Sequence, residues 1–223
     1  MLQNSHIVIT GAAGALGQAT AATARRFGAH VTGLDIVDTD ALENTDAYCK
    51  VDLMDRHATL ECFSALGEID ALVNIAGGFA MGDNAFDPAS DQWERMFRIN
   101  VDTLRNATMA AVPVLLGRGG GAIVNIGALG ALSGQATMSA YCCAKSAVMR
   151  LTESLSEELR HKGINVNAVL PSIIDTPPNR AGMPDADFAQ WVSPQQLANV
   201  ICFLASDAAS AMHGALVPVR GLV

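Results

Sequence analysis

Short runs of β-branched and aliphatic residues alternate along the chain with longer segments of helical periodicity. The short runs predict seven strands, at His6–Thr10, Ala29–Asp35, Ala47–Val51, Asp70–Asn74, Gly121–Gly127, Ile164–Leu170 and Ala215–Val219. The segments between them predict five helices, at Ala15–Phe27, Met54–Leu66, Asp91–Leu116, Met138–His161 and Pro194–Ala205. This alternation predicts an α/β fold, a single domain over residues 1–223 with helices on both faces of a doubly wound parallel sheet. Ligands of such sheets bind beyond the carboxyl ends of the strands, where the strand order reverses.

The composition is that of a compact globular protein, because half of the 223 residues are apolar and 16% are charged. The mean hydropathy of +0.27 raises the question of a membrane span. No uninterrupted apolar stretch approaches the roughly 18 residues that a spanning helix needs. The best candidate, Ala107 to Leu116, contains Pro113. We therefore expect no membrane association.

Charge and cysteine content narrow the function further. A net charge of -8 argues against nucleic-acid binding through phosphate neutralisation. No two histidines have metal-ligand spacing, so no metal site is expected. No signal peptide is visible, and the five cysteines form neither a C-x-x-C pair nor an even set. These features favour reduced thiols and a cytoplasmic location.

The first predicted strand runs directly into a turn of glycine and alanine, residues 11–17, and a helix follows at once. Residues without bulky side chains let a pyrophosphate approach backbone N–H groups, and the helix N-terminus adds partial positive charge. We expect Gly11, Ala13, Leu16 and Gly17 to contact a dinucleotide. A tight turn that binds no ligand remains the alternative.

Acidic and small residues follow the next three predicted strands. Asp35 ends the second strand, near the spacing at which a carboxylate meets the adenosine ribose, and Ile36 follows it. A carboxylate there repels a 2′-phosphate, which favours NAD over NADP; Asp35 could instead be an ordinary turn residue. The third and fourth strand ends supply the remaining candidates for contact with the cofactor, Asp52, Leu53, Asn74, Ala76 and Gly77. Asn74 could also tie neighbouring strands together, and turn chemistry is the alternative for Asp52.

Tyr141 and Lys145 are four residues apart in a predicted helix, so their side chains share one face. A nearby ammonium, joined by the charge of an oxidised nicotinamide, favours the phenolate and is expected to lower the pKa of the tyrosine. Tyr141 could then exchange a proton with a substrate while hydride moves to or from nicotinamide. Tyr141 and Lys145 are also candidates for contact with the cofactor, since Lys145 could hold the nicotinamide ribose. The spacing alone is common on surface helices. Its position, after the glycine turn and the small residues of the fourth strand end, gives it weight.

In the order and spacing of these marks the sequence resembles the short-chain dehydrogenase/reductase family over essentially its whole length. The resemblance implies a Rossmann-like seven-stranded sheet, a nicotinamide cofactor and a homodimer or homotetramer formed through the helices that contain Asn100 and Tyr141. It further implies that Asn100 holds a water in a proton relay through Lys145. Pro171, Ile174 and Thr176 would line the nicotinamide carboxamide.

The sequence departs from the family pattern at its serine position. That position, thirteen residues before the tyrosine, holds Ala128, whose methyl group cannot orient a substrate by hydrogen bonding. This departure, with Ala76-Gly77-Gly78-Phe79 and the segment around Met183 and Trp191, looks like dihydropteridine reductase, a branch that works without the serine. Residues 172–192 fall where the family carries a substrate lid. Phe79, Ala128, Met183 and Trp191 are therefore the candidate substrate contacts, although the residues of the lid could simply pack on the core.

Three functions follow in decreasing order of support. The first is an NAD(H)-dependent oxidoreductase that acts on a small carbonyl, alcohol or conjugated imine-like substrate, with quinonoid pterin reduction as the alternative substrate. The second is a nicotinamide-binding sensor that has lost catalysis. A hydrolase is disfavoured, because the sequence contains no G-x-S-x-G elbow.

Overall fold

The computed structural model describes residues 1–87 and 89–223. One sheet contains β1 (His6–Thr10), β2 (His30–Asp35), β3 (Ala47–Lys50), β4 (Ala71–Asn74), β5 (Gly121–Ile126), β6 (Ile164–Pro171) and β7 (Leu216–Val219). The strand order is β3-β2-β1-β4-β5-β6-β7, and every neighbouring pair is parallel. The predicted α/β fold with a doubly wound, seven-stranded parallel sheet is confirmed.

The helices are α1 (Ala15–Arg26), α2 (Arg56–Ala65), α3 (Gln92–Phe97), α4 (Thr103–Arg118), α5 (Ser139–Leu159), α6 (Pro177–Gly182) and α7 (Pro194–Leu204). Successive strand side chains point to opposite faces, so each strand supplies both cores. Ile7 and Ile9 of β1 pack in the core formed with α1 and α7. Val8, between them, packs in the opposite core with Phe63 of α2 and Leu115 of α4. This double burial explains why the strands are continuous apolar runs.

The helix predicted at Asp91–Leu116 is three segments: α3, a π-helical turn at Arg98–Asp102, and α4. The π-turn contains Asn100, whose side-chain amide donates to the carbonyls of Met96 and Gly78, both at 3.0 Å. The contact with Gly78 crosses 22 residues, so local periodicity carries no sign of it. α4 continues through Pro113 and ends before Gly119, which has a left-handed φ of 95°.

The composition raised two questions, one about membrane-spanning helices and one about the cysteines. In the described ranges, no helix is both long and apolar enough to cross a membrane. The structure brings the sulfur atoms of Cys49 (β3) and Cys62 (α2) together, with Cα atoms 7.0 Å apart. The expectation of five reduced, unpaired cysteines is therefore not met for this pair, whereas Cys142, Cys143 and Cys202 are free.

The strand order reverses between β1 and β4, and Thr10 fastens these two strands at their carboxyl ends. Its hydroxyl oxygen accepts hydrogen bonds from the backbone N–H groups of Ile75 and Ala76, both at 3.1 Å. The chain therefore leaves β1 and β4 as two loops that face each other across a crevice. This is the place where open parallel sheets bind their ligands.

Candidate active site

The glycine turn after β1 lies against the loop after β4 with no room for side chains at its two critical positions. Gly11 has a φ of +66°, and a Cβ there would lie 2.8 Å from the Ala76 nitrogen. A Cβ on Gly17 would lie 2.7 Å from the Ala12 Cα. α1 then begins without a side-chain cap and without an acidic residue in its first turn. Its first N–H groups are therefore available to an anion.

A cleft of about 620 Å³ opens at the carboxyl edge of the sheet, within the usual range for small-molecule sites. Eleven of the predicted cofactor residues line it: Gly11, Ala13, Leu16, Gly17, Asp35, Ile36, Asp52, Leu53, Ala76, Gly77 and Thr176. Sequence reasoning missed nine further lining residues, Gly14, Ala15, Val37, Val51, Met54, Ile75, Ile99, Thr103 and Pro178. Most of these adjoin a predicted residue in sequence, so extending each strand-end motif by one or two positions would have found them.

The carboxylate of Asp35 is held in place by two backbone amides. Oδ2 accepts from the Ala13 N–H at 2.9 Å, and Oδ1 accepts from the Ile36 N–H at 2.8 Å. A carboxylate has about four acceptor positions, so about two remain for hydroxyl groups of a ligand. Across the cleft, Asp52 Oδ1 accepts from the Met54 N–H at 2.9 Å. The side chain of Ile36 is 64% exposed at the rim.

Five predicted cofactor residues do not line the cleft: Asn74, Tyr141, Lys145, Pro171 and Ile174. Asn74 is buried and donates to Asn125 Oδ1 at 2.9 Å, so it ties β4 to β5, as its alternative interpretation expected. Pro171 is paired with Val219 at the end of β6. Ile174 forms a bridge with Val192, and its carbonyl accepts from the side chain of Asn179.

Two of the three predicted catalytic residues, Lys145 and Asn100, meet beside Gly77. Lys145 is 7% exposed, and its ammonium donates to the Ile126 carbonyl at 2.9 Å. A Cβ on Gly77 would lie 3.5 Å from Lys145 Nζ and 2.6 Å from Asn100 Oδ1. Asn100 Oδ1 in turn accepts from the Gly78 N–H at 3.1 Å. Tyr141 shares the face of α5 with Lys145, and its ring packs against the cluster that contains Met96 and Ala144.

Burial dominates the pKa values of this pair. It raises the pKa of Tyr141 to about 12, and the neighbouring Cys142 adds to the effect. It lowers the pKa of Lys145 to about 8. The sequence-based expectation that Lys145 lowers the pKa of Tyr141 is thus not met in the protein alone, because burial desolvates the phenolate. At neutral pH the tyrosine is a protonated donor, and the lysine is still largely charged.

The residue at the serine position is buried beside the tyrosine. Ala128 is 5% exposed and belongs to an apolar cluster against which the Tyr141 ring packs. On the open side, the half-exposed ring of Phe79 meets Tyr141 edge to face, with centroids 4.9 Å apart. Neither residue offers a side-chain hydrogen-bond donor. The tyrosine ring therefore has apolar neighbours on both of these sides.

The two remaining substrate candidates lie in different surroundings. Met183, after α6, is partly exposed. Trp191 is only 6% exposed, and its ring lies 4.8 Å from that of Phe188. For Trp191 the structure favours the alternative of packing on the core. The Arg180 guanidinium lies over the Phe188 ring, with its Cζ 4.7 Å from the ring centroid, and it donates a hydrogen bond to the Asp175 carboxylate.

Comparison with known proteins decides the family. The family model described as short chain dehydrogenase matches residues 5–186. The chain belongs to the short-chain dehydrogenase family. D-xylose 1-dehydrogenase from Caulobacter vibrioides is 32% identical over 231 residues, covering 96% of this chain and 93% of that protein. A 2-(S)-hydroxypropyl-CoM dehydrogenase from Xanthobacter autotrophicus is 31% identical over 252 residues, covering 99% and 96%.

Solved structures agree with this assignment. A proposed NAD(P)-dependent gluconate 5-dehydrogenase from Beutenbergia cavernae, with NADP bound at low occupancy, has a TM-score of 0.90 and 29% identity. The superposition covers 99% of this chain and 96% of that protein's chain. Carveol dehydrogenase from Mycobacterium avium, in complex with NAD, has a TM-score of 0.86 and 25% identity, covering 99% and 97%. The chain is thus an oxidoreductase of a family that binds nicotinamide cofactors, with both cofactors represented among its neighbours.

Proposed function

We propose that this short-chain dehydrogenase is an NAD(H)-dependent enzyme that uses Tyr141 as its acid–base residue, Lys145 as the charge beside it and Asn100 as the anchor of a proton relay. The observation that carries the proposal is the meeting of Lys145 and Asn100 at Gly77, on the wall of the cleft. The position of Tyr141 on the same face of α5 completes the set. Buried titratable groups at a cleft are typical of catalytic sites.

The cleft suits a dinucleotide because glycines let its walls approach one another closely. At Gly11, Gly17 and Gly77 a Cβ would collide with other atoms of the protein. The glycine turn and the first turn of α1 would hold the phosphates, and Asp35 would hold the adenosine ribose. When bound, the nicotinamide supplies or takes up a hydride. Pro171, Ile174 and Thr176 would lie towards its carboxamide.

The carboxylate of Asp35 supports NAD rather than NADP as the cofactor. It would accept hydrogen bonds from ribose hydroxyls and repel a 2′-phosphate. A basic side chain could receive that phosphate, and β3 places Lys50 beside Asp35. Lys50 is instead paired with Asp38, at 2.9 Å. The site therefore favours the cofactor without the extra charge.

The protein's own residues handle the proton. The raised pKa of Tyr141 keeps its hydroxyl protonated at neutral pH, ready to donate to an oxygen or nitrogen that gains charge. The Lys145 ammonium would stabilise the phenolate that forms. The side-chain amide of Asn100 is engaged by Gly78 and Met96, so it fixes the π-turn. Asn100 would therefore hold a relay water through its backbone rather than through its amide.

The proposed substrate is a small carbonyl compound, its alcohol, or a conjugated imine-like acceptor. The relatives named D-xylose 1-dehydrogenase and 2-(S)-hydroxypropyl-CoM dehydrogenase support a small carbonyl or alcohol. The buried methyl of Ala128 favours the second candidate, a quinonoid pterin of the kind that dihydropteridine reductase reduces, because a delocalised acceptor depends less on a second donor. Phe79 and Met183 would contact the substrate beneath a lid at residues 172–192. A homodimer or homotetramer remains a prediction.

The test is consumption of NADH or NADPH with a panel of ketones, quinones and quinonoid dihydropterin. We expect wild-type turnover with NADH on at least one acceptor. Tyr141→Phe should reduce it about 10²- to 10⁴-fold, the usual contribution of a general acid. NADH binding, followed by fluorescence, should be largely kept. Binding of NADH without turnover on any acceptor would instead favour the sensor, and full activity of Tyr141→Phe would refute the acid–base role.

A further inference from the structure

The loop that follows Asp35 is fastened from the neighbouring strand by a tyrosine outside the cleft lining. The Tyr48 hydroxyl lies 2.6 Å from the Val37 carbonyl and 3.1 Å from the Asp35 carbonyl. A phenol has one hydrogen to donate, so the shorter contact defines its principal acceptor. Tyr48 thus links the middle of β3 to the loop that carries the cleft residues Ile36 and Val37.

The same loop supplies one of the two amides that hold the Asp35 carboxylate. The Ile36 N–H donates to Oδ1 at 2.8 Å. Fixing the Val37 carbonyl restrains the peptide unit that follows Val37, one residue beyond the exposed Ile36. The Asp35 carbonyl is held as well, because it accepts from the Val51 N–H at 2.8 Å. The direction of the carboxylate therefore depends on a loop conformation that Tyr48 restrains.

The other tie to this loop is weaker. Lys50 pairs with Asp38 at 2.9 Å, but both side chains are largely exposed, and exposed ion pairs contribute little. Tyr48 is partly buried. Burial, together with the charges of Asp35 and Asp38, raises its pKa. The hydroxyl therefore stays protonated and remains a donor over the physiological range.

We propose that Tyr48 is a positioning residue for cofactor selection, whose hydroxyl holds the Asp35–Val37 loop so that the carboxylate faces the adenosine ribose. The inference rests on the proposed role of Asp35. Tyr48 does not touch the cofactor itself. Its effect is confined to the adenosine half and passes through Asp35.

The experiment measures dissociation constants by fluorescence for NADH, NADPH and reduced nicotinamide mononucleotide, which lacks the adenosine. Tyr48→Phe should weaken NADH binding about fivefold, the loss expected for one hydrogen bond, and lower the preference for NADH over NADPH. Binding of the mononucleotide should not change. Lys50→Met, which removes the exposed tie to the same loop, should leave all three constants within about twofold.

A double-mutant cycle separates positioning from general damage. In an Asp35→Ala background, Tyr48→Phe should have no further effect on NADH binding. An equal loss in both backgrounds, a loss for the mononucleotide, or no loss at all would overturn the inference. If Asp35→Ala itself leaves the NADH/NADPH ratio unchanged, the ribose role in the proposed function fails, and the role of Tyr48 in selection falls with it.

Hydrogen exchange at the Ile36 amide gives a second readout without cofactor. Tyr48→Phe should speed this exchange, whereas Lys50→Met should not. Unchanged protection at Ile36 in Tyr48→Phe would show that the hydroxyl does not hold the loop, and would overturn the inference even if NADH binding were weaker. A thermal melt checks that each variant is folded at the temperature of the binding measurements.

Discussion

The two ends of the cleft are built from different parts of the polypeptide. At the end proposed to hold the adenosine, called the adenosine end below, the walls consist of backbone amides, glycines and one carboxylate, and the rim is open, with Ile36 exposed. At the end proposed to hold the reacting groups, called the catalytic end below, the site consists of side chains, and Lys145 and Asn100 are buried. The first end needs a backbone shape that admits a charged ligand. The second needs titratable groups whose pKa values differ from those in water, and burial is the main cause of that difference here.

Substitutions of glycine at the two ends are expected to have the largest effects. They separate NADH binding from turnover. Gly17→Ala places a Cβ against the backbone of Gly11 and Ala12, which cannot move aside. We expect NADH binding to weaken at least about tenfold, because the turn loses its shape. Gly77→Ala instead meets Asn100 Oδ1 and Lys145 Nζ. It should lower turnover about 10- to 100-fold, since small displacements of catalytic groups are costly, with a smaller effect on NADH binding.

The measurements are NADH titration and steady-state turnover on the best acceptor. Gly134→Ala is the matched control, because no atom lies within 4 Å of its Cβ position and its φ is not left-handed. It should change neither quantity. Equal losses of binding and turnover in the Gly17 and Gly77 variants would mean that the two ends are not separable.

Replacement of Lys145 should reveal how much its buried charge lowers the free energy of unfolding. Its pKa in the fold, about 8, is below the ordinary 10.5. Folding is therefore penalised while the lysine is charged, fully below pH 8, and the penalty disappears as the pH rises through 8 to 10.5. Lys145→Met should raise the free energy of unfolding at neutral pH by about 2 kcal/mol, after allowance for the lost hydrogen bond to Ile126. It should abolish most turnover.

Urea unfolding at neutral pH and at about pH 10 checks this expectation. The advantage of Lys145→Met should shrink or reverse at the higher pH. Tyr141 titrates above this range in both proteins, so the difference isolates the lysine. Lys50→Met, at an exposed lysine, should show no such pH-dependent difference. A constant stability difference across the pH range would contradict a penalty for the buried charge.

The adenosine end was the easier one to predict from the sequence, and the reason is physical. Its residues follow strand ends, which apolar runs locate within about one residue, and eleven of its predicted residues line the cleft. Local signals failed where a distant contact decides the structure. The π-turn depends on Asn100 reaching Gly78. The helix α6 is a different case, because its start carries a local signal, Pro177 and Pro178 in its first turn, that the sequence analysis did not use.

For the catalytic end, the sequence predicted which residues share a helix face, but not their pKa values. Four-residue spacing placed Tyr141 and Lys145 on one face, and α5 has them there. Spacing says nothing about depth, however, and depth sets both pKa values. For the same reason, the sequence did not reveal that Trp191 is buried. An aromatic residue in a lid segment looks like a substrate contact, yet the chain folds it inward against Phe188.

The smallest expected effect concerns the missing donor beside Tyr141. Ala128→Ser adds a hydroxyl in the cluster that packs against the tyrosine ring. If the site is adapted to delocalised acceptors, a second donor should raise kcat/KM on simple ketones about three- to tenfold, the value of one hydrogen bond, and leave conjugated acceptors unchanged. Ala131→Ser makes the same chemical change in the same cluster, at a position that the family pattern does not assign to catalysis.

The acceptor panel and a urea titration of both serine variants distinguish the outcomes. A hydroxyl that finds no partner in this cluster costs about 1–3 kcal/mol of stability, so Ala131→Ser should be destabilised without any gain in rate. Ala128→Ser should lose less stability if its hydroxyl reaches the substrate side. A gain on conjugated acceptors as well as ketones would remove the argument for a pterin-like substrate, because the site would then lack a donor that every acceptor can use.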